Sequence, residues 1–301
     1  MVNNIKSVFT RSADYARTGL YDDAFLTAPD VVTRGIVRLA TLQGYGDARG
    51  TEGQPLFVPN VVMKSCGNAH DIIVFATMAN EIYCFDANTF GVRWVTTVGM
   101  PIAGSTAIDA YMINDWWGVL STGVINAAGT KMYICAWVST DMTYQTGMHY
   151  LYCIDLTSGA VLETPLLLEG VTYSPPGFPV QTFKSMERKQ RAALSMYVAS
   201  DGKEYVIIPF GTLVESSEQS RGWLIAVQTE PMSIVAAITT TLKGFGAGIW
   251  QSGAGLATDP TTNLMIAITG NGTFDPPTDF GESIVAISFT PATATALSST
   301  C

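Results

Sequence analysis

An all-β fold, a β-propeller of four-stranded antiparallel blades, follows from three features of this sequence. One short pattern recurs: an aromatic-aliphatic strand that ends in an acidic, amide or hydroxyl residue, followed by a turn. It reads Ile82-Tyr83-Cys84-Phe85-Asp86, then Leu151-Tyr152-Cys153-Ile154-Asp155, then Trp223-Leu224-Ile225-Ala226-Val227-Gln228, then Ile284-Val285-Ala286-Ile287-Ser288. The end residues lie 69, 73 and 60 positions apart, and a fixed long period marks a modular architecture. Helical periodicity is nearly absent; residues 184–194 are the best helix candidate, short and poorly capped. Elsewhere, β-rich apolar runs alternate with Gly, Asn, Asp and Pro, the pattern of many short strands.

Taken in order, residues 1–30 form a polar N-terminal arm, and the blades occupy 31–301, opened by a strand over 35–41. Blade 1 (54–98) has strands at 55–62, 72–77, 81–86 and 92–98. Blade 2 (121–168) has them at 121–126, 131–138, 149–156 and 161–168. Blade 3 (192–241) has them at 192–198, 205–209, 223–229 and 234–241. Blade 4 (251–289) supplies only 253–258, 264–269 and 283–289. An open sheet edge invites aggregation, so the strand over 35–41 is expected to complete blade 4. Four blades allow two architectures. One is a small closed ring. The other is half of a seven- or eight-bladed ring, completed by a second chain or by further sequence.

The composition, 48% hydrophobic and 14% charged, is that of a well-buried globular chain. The net charge of −9 excludes the basic footprint that a nucleic-acid partner or an anionic membrane surface requires. No apolar run approaches the roughly 18 residues of a membrane helix, so no membrane insertion is expected. The N-terminus has no apolar core, hence no secretory signal in this numbering. The compartment stays open, with extracellular and particle-associated settings both compatible. Of the five cysteines none forms a CxxC pair, which argues against structural zinc. Cys84, Cys135 and Cys153 read as buried small hydrophobes; a disulfide using Cys66 or Cys301 stays open.

Long loops are where a β-scaffold carries function, and the candidates are 99–118, 140–148, 170–189, 211–221, 243–250 and 270–281. The glycine-rich run 244–251 lacks the helix and lysine of a phosphate loop. It reads as a blade connection with Trp250 packed between blades, or as close backbone approach to a planar ligand under Trp250. Asn271-Gly272-Thr273-Phe274-Asp275 offers oxygens to Ca²⁺, and a glycosylation sequon if exported; Asn-Gly is also a hairpin-turn signal, the reading preferred here. Glu215, Glu218, Arg221 and Asp141 suit general acid/base work only if they converge, and loop charges are more often solvated. His70 and His149 have no accompanying nucleophile motif. Arg17, with its capacity for bidentate contacts, reads first as a clamp tying the arm to a blade and second as a ligand clamp.

Several segments together resemble the quinoprotein-like (PQQ-like) β-propeller superfamily. They are Asp14-Tyr15-Ala16-Arg17-Thr18-Gly19, Gln54-Pro55-Leu56-Phe57-Val58-Pro59, Tyr83-Cys84-Phe85-Asp86-Ala87, Gln190-Arg191-Ala192-Ala193-Leu194 and, most specific, Gly248-Ile249-Trp250-Gln251-Ser252-Gly253 with Gly270-Asn271-Gly272-Thr273-Phe274-Asp275. Members are usually longer, and this chain matches about half of such a ring. The resemblance implies pyrroloquinoline quinone (PQQ) and calcium in a central funnel, lined here by Trp250, Gln251, Asn271 and Asp275. It also implies blade-locking roles for Asp86, Trp94 and Asp155. The departures are clear: there is no vicinal Cys-Cys, Asp86–Trp94 carries one extra residue, and the turn after Asp155 lacks the tryptophan. The reading that follows is a non-catalytic propeller, a binding or assembly module with a protein partner or self-association, serving a larger particle or surface layer, with no cofactor assigned. The alternative is a PQQ- and calcium-dependent dehydrogenase.

Overall fold

The structure, a computed structural model, describes residues 6–21, 27–35, 38, 40–41, 50–106, 114–259, 261–290 and the backbone of 293–298. It is an all-β propeller arc of antiparallel blades. Helix α1 (Ala28–Arg34) is one exposed segment, capped by Thr27 and started by Pro29. Blade 1 consists of β1 (Leu56–Val62), β2 (Ala69–Ala76), β3 (Glu81–Asp86) and β4 (Val92–Thr97), paired in that order. A small pair, β5 (Ile102–Ala103) and β6 (Trp116–Trp117), leads to blade 2: β7 (Val124–Ile125), β8 (Lys131–Val138), β9 (Met148–Asp155) and β10 (Leu166–Leu167). The pair β11 (Thr172–Tyr173) and β12 (Gln181–Thr182) precedes blade 3. There β13 (Arg188–Lys189) and β14 (Ser195–Val198) both pair with β15 (Glu204–Thr212), followed by β16 (Trp223–Thr229) and β17 (Met232–Thr239). Blade 4 holds β18 (Ala257–Thr258), β19 (Met265–Ile268), β22 (Ile284–Thr290) and β23 (Thr293–Ser298), with the hairpin β20 (Phe274–Asp275) and β21 (Asp279–Phe280) inserted.

Three expectations are corrected. Blade 4 is completed by its own β23, which runs along β22 from Val285↔Ser298 to Thr290↔Thr293, and not by the strand expected over 35–41. Of that segment Gly35, Arg38, Ala40 and Thr41 lie outside any strand, and the remainder lies outside the described residues. The helix expected at 184–194 is a single 3-10 turn, Ser185–Glu187, running into β13. Ser185, Arg188, Gln190 and Ala192–Leu194 are all buried, so these residues anchor at several points along an extended path instead of sharing one helical face. The Asn271-Gly272 turn is also displaced: the hairpin turns at Pro276–Thr278, and Gly272 bridges to Gly246.

The repeated strand end has a local cause. Asp86 Oδ1 accepts hydrogen bonds from the Asn88 and Thr89 amides, and Asp155 Oδ1 accepts from the Thr157 amide, each fixing the turn as an aspartate does. Burial would raise the Asp155 carboxyl, but hydrogen bonds from Lys64, Thr157 and Ser158 hold it at about 2. Trp94 of blade 1 reaches across, its Nε1 donating to the Leu156 carbonyl. Its ring lies where a Cβ on Gly159 would come within 2.7 Å, so only glycine fits that left-handed position (φ 77°).

Successive blades share apolar layers. Leu56, Val74 and Ile82 meet Ile134 and Ile154 between blades 1 and 2; Val124, Leu151 and Cys153 meet Val206, Phe210 and Ile225 between blades 2 and 3; Ile207 and Leu224 meet Met265, Val285 and Ile287 between blades 3 and 4. Among the described residues no such layer joins blade 4 back to blade 1. Cys84, Cys135 and Cys153 are buried and free, and Cys66 is exposed and free; Cys301 lies outside the described residues. Among the described residues no helix is long and apolar enough to cross a membrane.

Candidate functional site

The innermost strands of the four blades enter from one side, and the residues just ahead of them converge. Arg191, ahead of β14, donates from Nε to Glu52 Oε2 at 2.6 Å, and Glu52 lies ahead of β1. Its Nη1 donates to the Leu120 carbonyl ahead of β7. Its guanidinium also fills the space beside Gly253, ahead of β18, where a Cβ would lie 2.1 Å from Nη1. One arginine therefore touches all four blades. The other oxygen of Glu52 accepts from Asn114.

Next to this hub, Lys189 places its Nζ 3.3 Å from the Trp117 ring centroid and 5.1 Å from that of Trp250, within cation–π range of both. The aromatic line continues inward from Trp117 to Trp137 and His149, which stacks on Trp137 at 5.1 Å. Burial, with the nearby Arg188 charge, pushes the His149 imidazole down to about 3. It is a neutral core ring with no partner on either nitrogen, and no base at working pH. Farther out, Tyr144, Met186, Glu187, Leu213, Val214, Ser217 and Ser220 line a shallow pocket of about 160 Å³.

On the channel side, the N-terminal arm crosses the inner strands of every blade. Val8 bridges Phe57 of β1, Phe9 O accepts from the Ile125 amide of β7, and Tyr15 O accepts from the Thr258 amide of β18. Arg17, at a left-handed φ of 59°, donates to Leu256 O, Thr10 Oγ1, Arg11 O, Leu194 O and Ser195 Oγ. These contacts tie the arm to blades 3 and 4.

The residues expected to line a cofactor funnel do not converge on one ligand. Trp250 stands at the mouth beside Lys189. Gln251 donates to the Gly255 carbonyl within its own segment. Asn271 donates to Glu215, and Asp275 lies exposed on the β20 hairpin against Lys243 at 3.3 Å. Calcium wants six to eight oxygens, yet among the described residues no group of three or more His, Cys, Asp or Glu could hold a metal ion. The loop charges do not pair for acid/base work either: Asp141 accepts from Thr146, Thr143 and Ser139, which hold it well below the usual carboxylate range, and Arg221 donates to backbone carbonyls.

The sequence carries no motif for Glu52, Trp117 and the Lys189–Arg191 segment, which come from three distant stretches of the chain; the Gln190-Arg191 resemblance is the one available signal. Sequence reasoning also found no nucleophile for His70, which lies 3.6 Å from the Cys66 sulfur.

No protein-family model matches the chain, and no curated protein matches it. Solved structures do. Quinohemoprotein alcohol dehydrogenase from Comamonas testosteroni matches with TM-score 0.58 and 18% identity, over 97% of this chain and 41% of that one. A quinohemoprotein alcohol dehydrogenase from Pseudomonas putida HK5 matches with TM-score 0.54 and 16% identity, over 95% and 38%. A europium-containing methanol dehydrogenase matches with TM-score 0.57 and 12% identity, over 96% and 48%. The chain spans less than half the length of each. Over that part it shares the β-propeller fold of these structures.

Proposed function

We propose that this chain is a non-catalytic assembly module, an arc of four blades that closes its ring against a second copy of itself. The observation that carries this reading is the exposed aliphatic face of blade 4. Ile268 and Ile284 are directly opposed across β19 and β22 and are 56% and 53% exposed. Ile266, Ala286 and Ala257 continue the same face. Inner blade faces elsewhere are buried against a neighbour, and an exposed aliphatic sheet face of this kind marks an interaction site. At the opposite end, blade 1 presents Val92 and Val95, 52% and 44% exposed, beside the stacked ladder Phe75, Tyr83 and Phe85, which is itself buried. A two-fold axis along the channel would seat blade 4 of each copy against the exposed Val92–Val95 edge of blade 1 of the other, giving eight blades. The arm along the inner strands supports a scaffold role, because it occupies the channel side where a ligand would enter.

Light scattering after gel filtration is expected to give twice the 32.2 kDa of one chain. The double variant Ile268→Glu, Ile284→Glu is expected to weaken that association at least about a hundredfold, since burying unpaired carboxylates costs several kcal/mol. A wild-type monomer at every concentration sinks the reading.

The dehydrogenase alternative rests on the relatives, whose names include quinohemoprotein alcohol dehydrogenase. Titration with PQQ, with and without Ca²⁺, is expected to show no saturable change in quinone absorbance, because Asn271 and Asp275 are engaged with Glu215 and Lys243. Calcium-dependent binding near one per chain would reverse the preference.

A further inference from the structure

The turn that joins β1 to β2 carries an exposed thiol at the head of a relay. Cys66 Sγ lies 3.6 Å from His70 Nε2. His70 Nδ1 lies 2.8 Å from Asp86 Oδ2, and the Asp86 side chain is almost wholly buried. Asp86 also accepts from Arg93 at 2.5 Å. The relay uses the tautomer in which His70 directs its Nδ1–H to the Asp86 carboxylate, which only accepts, and turns the Nε2 lone pair toward the thiol; Arg93, close to both groups, donates to the same carboxylate oxygen. The Asn68 amide and the His70 ring draw the Cys66 thiol below its ordinary range. The other charged groups around the turn are spoken for: Lys64 pairs with Asp155, Asp71 accepts the Asn60 amide, and the Arg93 guanidinium lies 2.9 Å from His70 Nδ1.

We propose that Cys66, His70 and Asp86 form a nucleophilic thiol site that takes exposed low-molecular-weight disulfides. Cys66 gives its proton to His70 Nε2, and the thiolate attacks one sulfur of R–S–S–R. A Cys66–S–S–R bond forms, the R–S bond to the leaving half breaks, and R–S⁻ takes the proton back from His70 as RSH. Cys66 is oxidised to the mixed disulfide and half of the reagent is reduced, with no outside oxidant.

Disulfide exchange fits this geometry better than acyl transfer. Acyl chemistry needs donors for an oxyanion, and the amides of Cys66 and Gly67 both already donate to Met63 O. Exchange needs only thiolate character and access. Cys84, Cys135 and Cys153 are buried, so no described second thiol resolves the adduct, and the modified state persists until an external thiol arrives.

The test is the pH profile of the reaction between the folded chain and 4,4′-dithiodipyridine, with glutathione disulfide and intact mass as a second probe. Wild type is expected to show one fast equivalent and one glutathione adduct, both lost in Cys66→Ser. The rate at pH 6.5 should fall about tenfold in His70→Gln and converge with wild type above pH 9, where the thiol ionises unaided. A purely structural histidine would shift all pH values alike. The proposal is overturned if the fast equivalent survives Cys66→Ser, or if the His70→Gln profile superimposes on wild type. Should His70→Gln fail to fold, the wild-type profile decides: a midpoint at or above the ordinary thiol value of about 8.5 overturns it, and one below supports it.

Discussion

Acidifying the protein from pH 7.5 to 4.5 is expected to cost wild type about 2–3 kcal/mol more than a His149→Phe variant. In the fold His149 is wholly buried, stacked on Trp137 and edged by Phe183 and Phe210, and its imidazole is pushed down to about 3. In the unfolded chain it titrates near 6.5. Between those values the unfolded state binds a proton that the folded state refuses, so stability falls as pH drops from about 6.5 toward 3, by roughly 1.4 kcal/mol per unit. Phenylalanine keeps the ring in the stack and removes the titration. Urea unfolding of both proteins across this window checks the expectation. The carboxylates titrate in both, so only the difference between the two curves is informative, and a constant difference would refute the assignment of a neutral core histidine.

Replacing Arg17 with methionine is expected to lower the unfolding free energy by about 3 kcal/mol, with little rescue by lysine. Five acceptors converge on its guanidinium, from the arm itself and from the inner strands of blades 3 and 4. Burial lowers Arg17 to about 10, so it remains a cation at neutral pH. Hydrogen bonds to a charged donor are worth about 1.5–3 kcal/mol each and are not additive. Lysine cannot address five acceptors with one ammonium, and Gly255 holds the guanidinium so closely that its Cβ would lie 2.3 Å from Nη2. Hydrogen exchange should show protection lost first at the Val8 and Thr258 amides, which pair with Phe57 O and Tyr15 O. A loss under about 1 kcal/mol would mean that the arm is held by its backbone bridges and not by Arg17.

The strands of the repeat were legible because local chemistry specifies them. Buried aromatic and β-branched runs such as Ile82–Phe85 end in Asp86 or Asp155, whose carboxylates close the turn without help from distant residues. β23 was not legible, because Thr293–Ser298 carries no bulky alternation and becomes a strand only by hydrogen bonding to β22. The segment 184–194 misled for the converse reason: its apolar and polar positions are each set by a different neighbour. The same division holds for the sites. Trp250, Gln251, Asn271 and Asp275 could be picked out by residue type, but only the folded chain shows Asn271 and Asp275 engaged with Glu215 and Lys243. Glu52, Lys189 and Arg191 carry no motif and meet because four inner strands begin at one mouth. Cys66, four residues before His70, becomes a relay only when β3 brings Asp86 beneath the ring. By itself the sequence determined the all-β class and the repeated blade, since short-range burial patterns and turn caps decide them. The placement of the arm and the side chains that face one another were decided by tertiary structure, because they depend on contacts between residues from 16 to more than 200 positions apart, which no local pattern encodes.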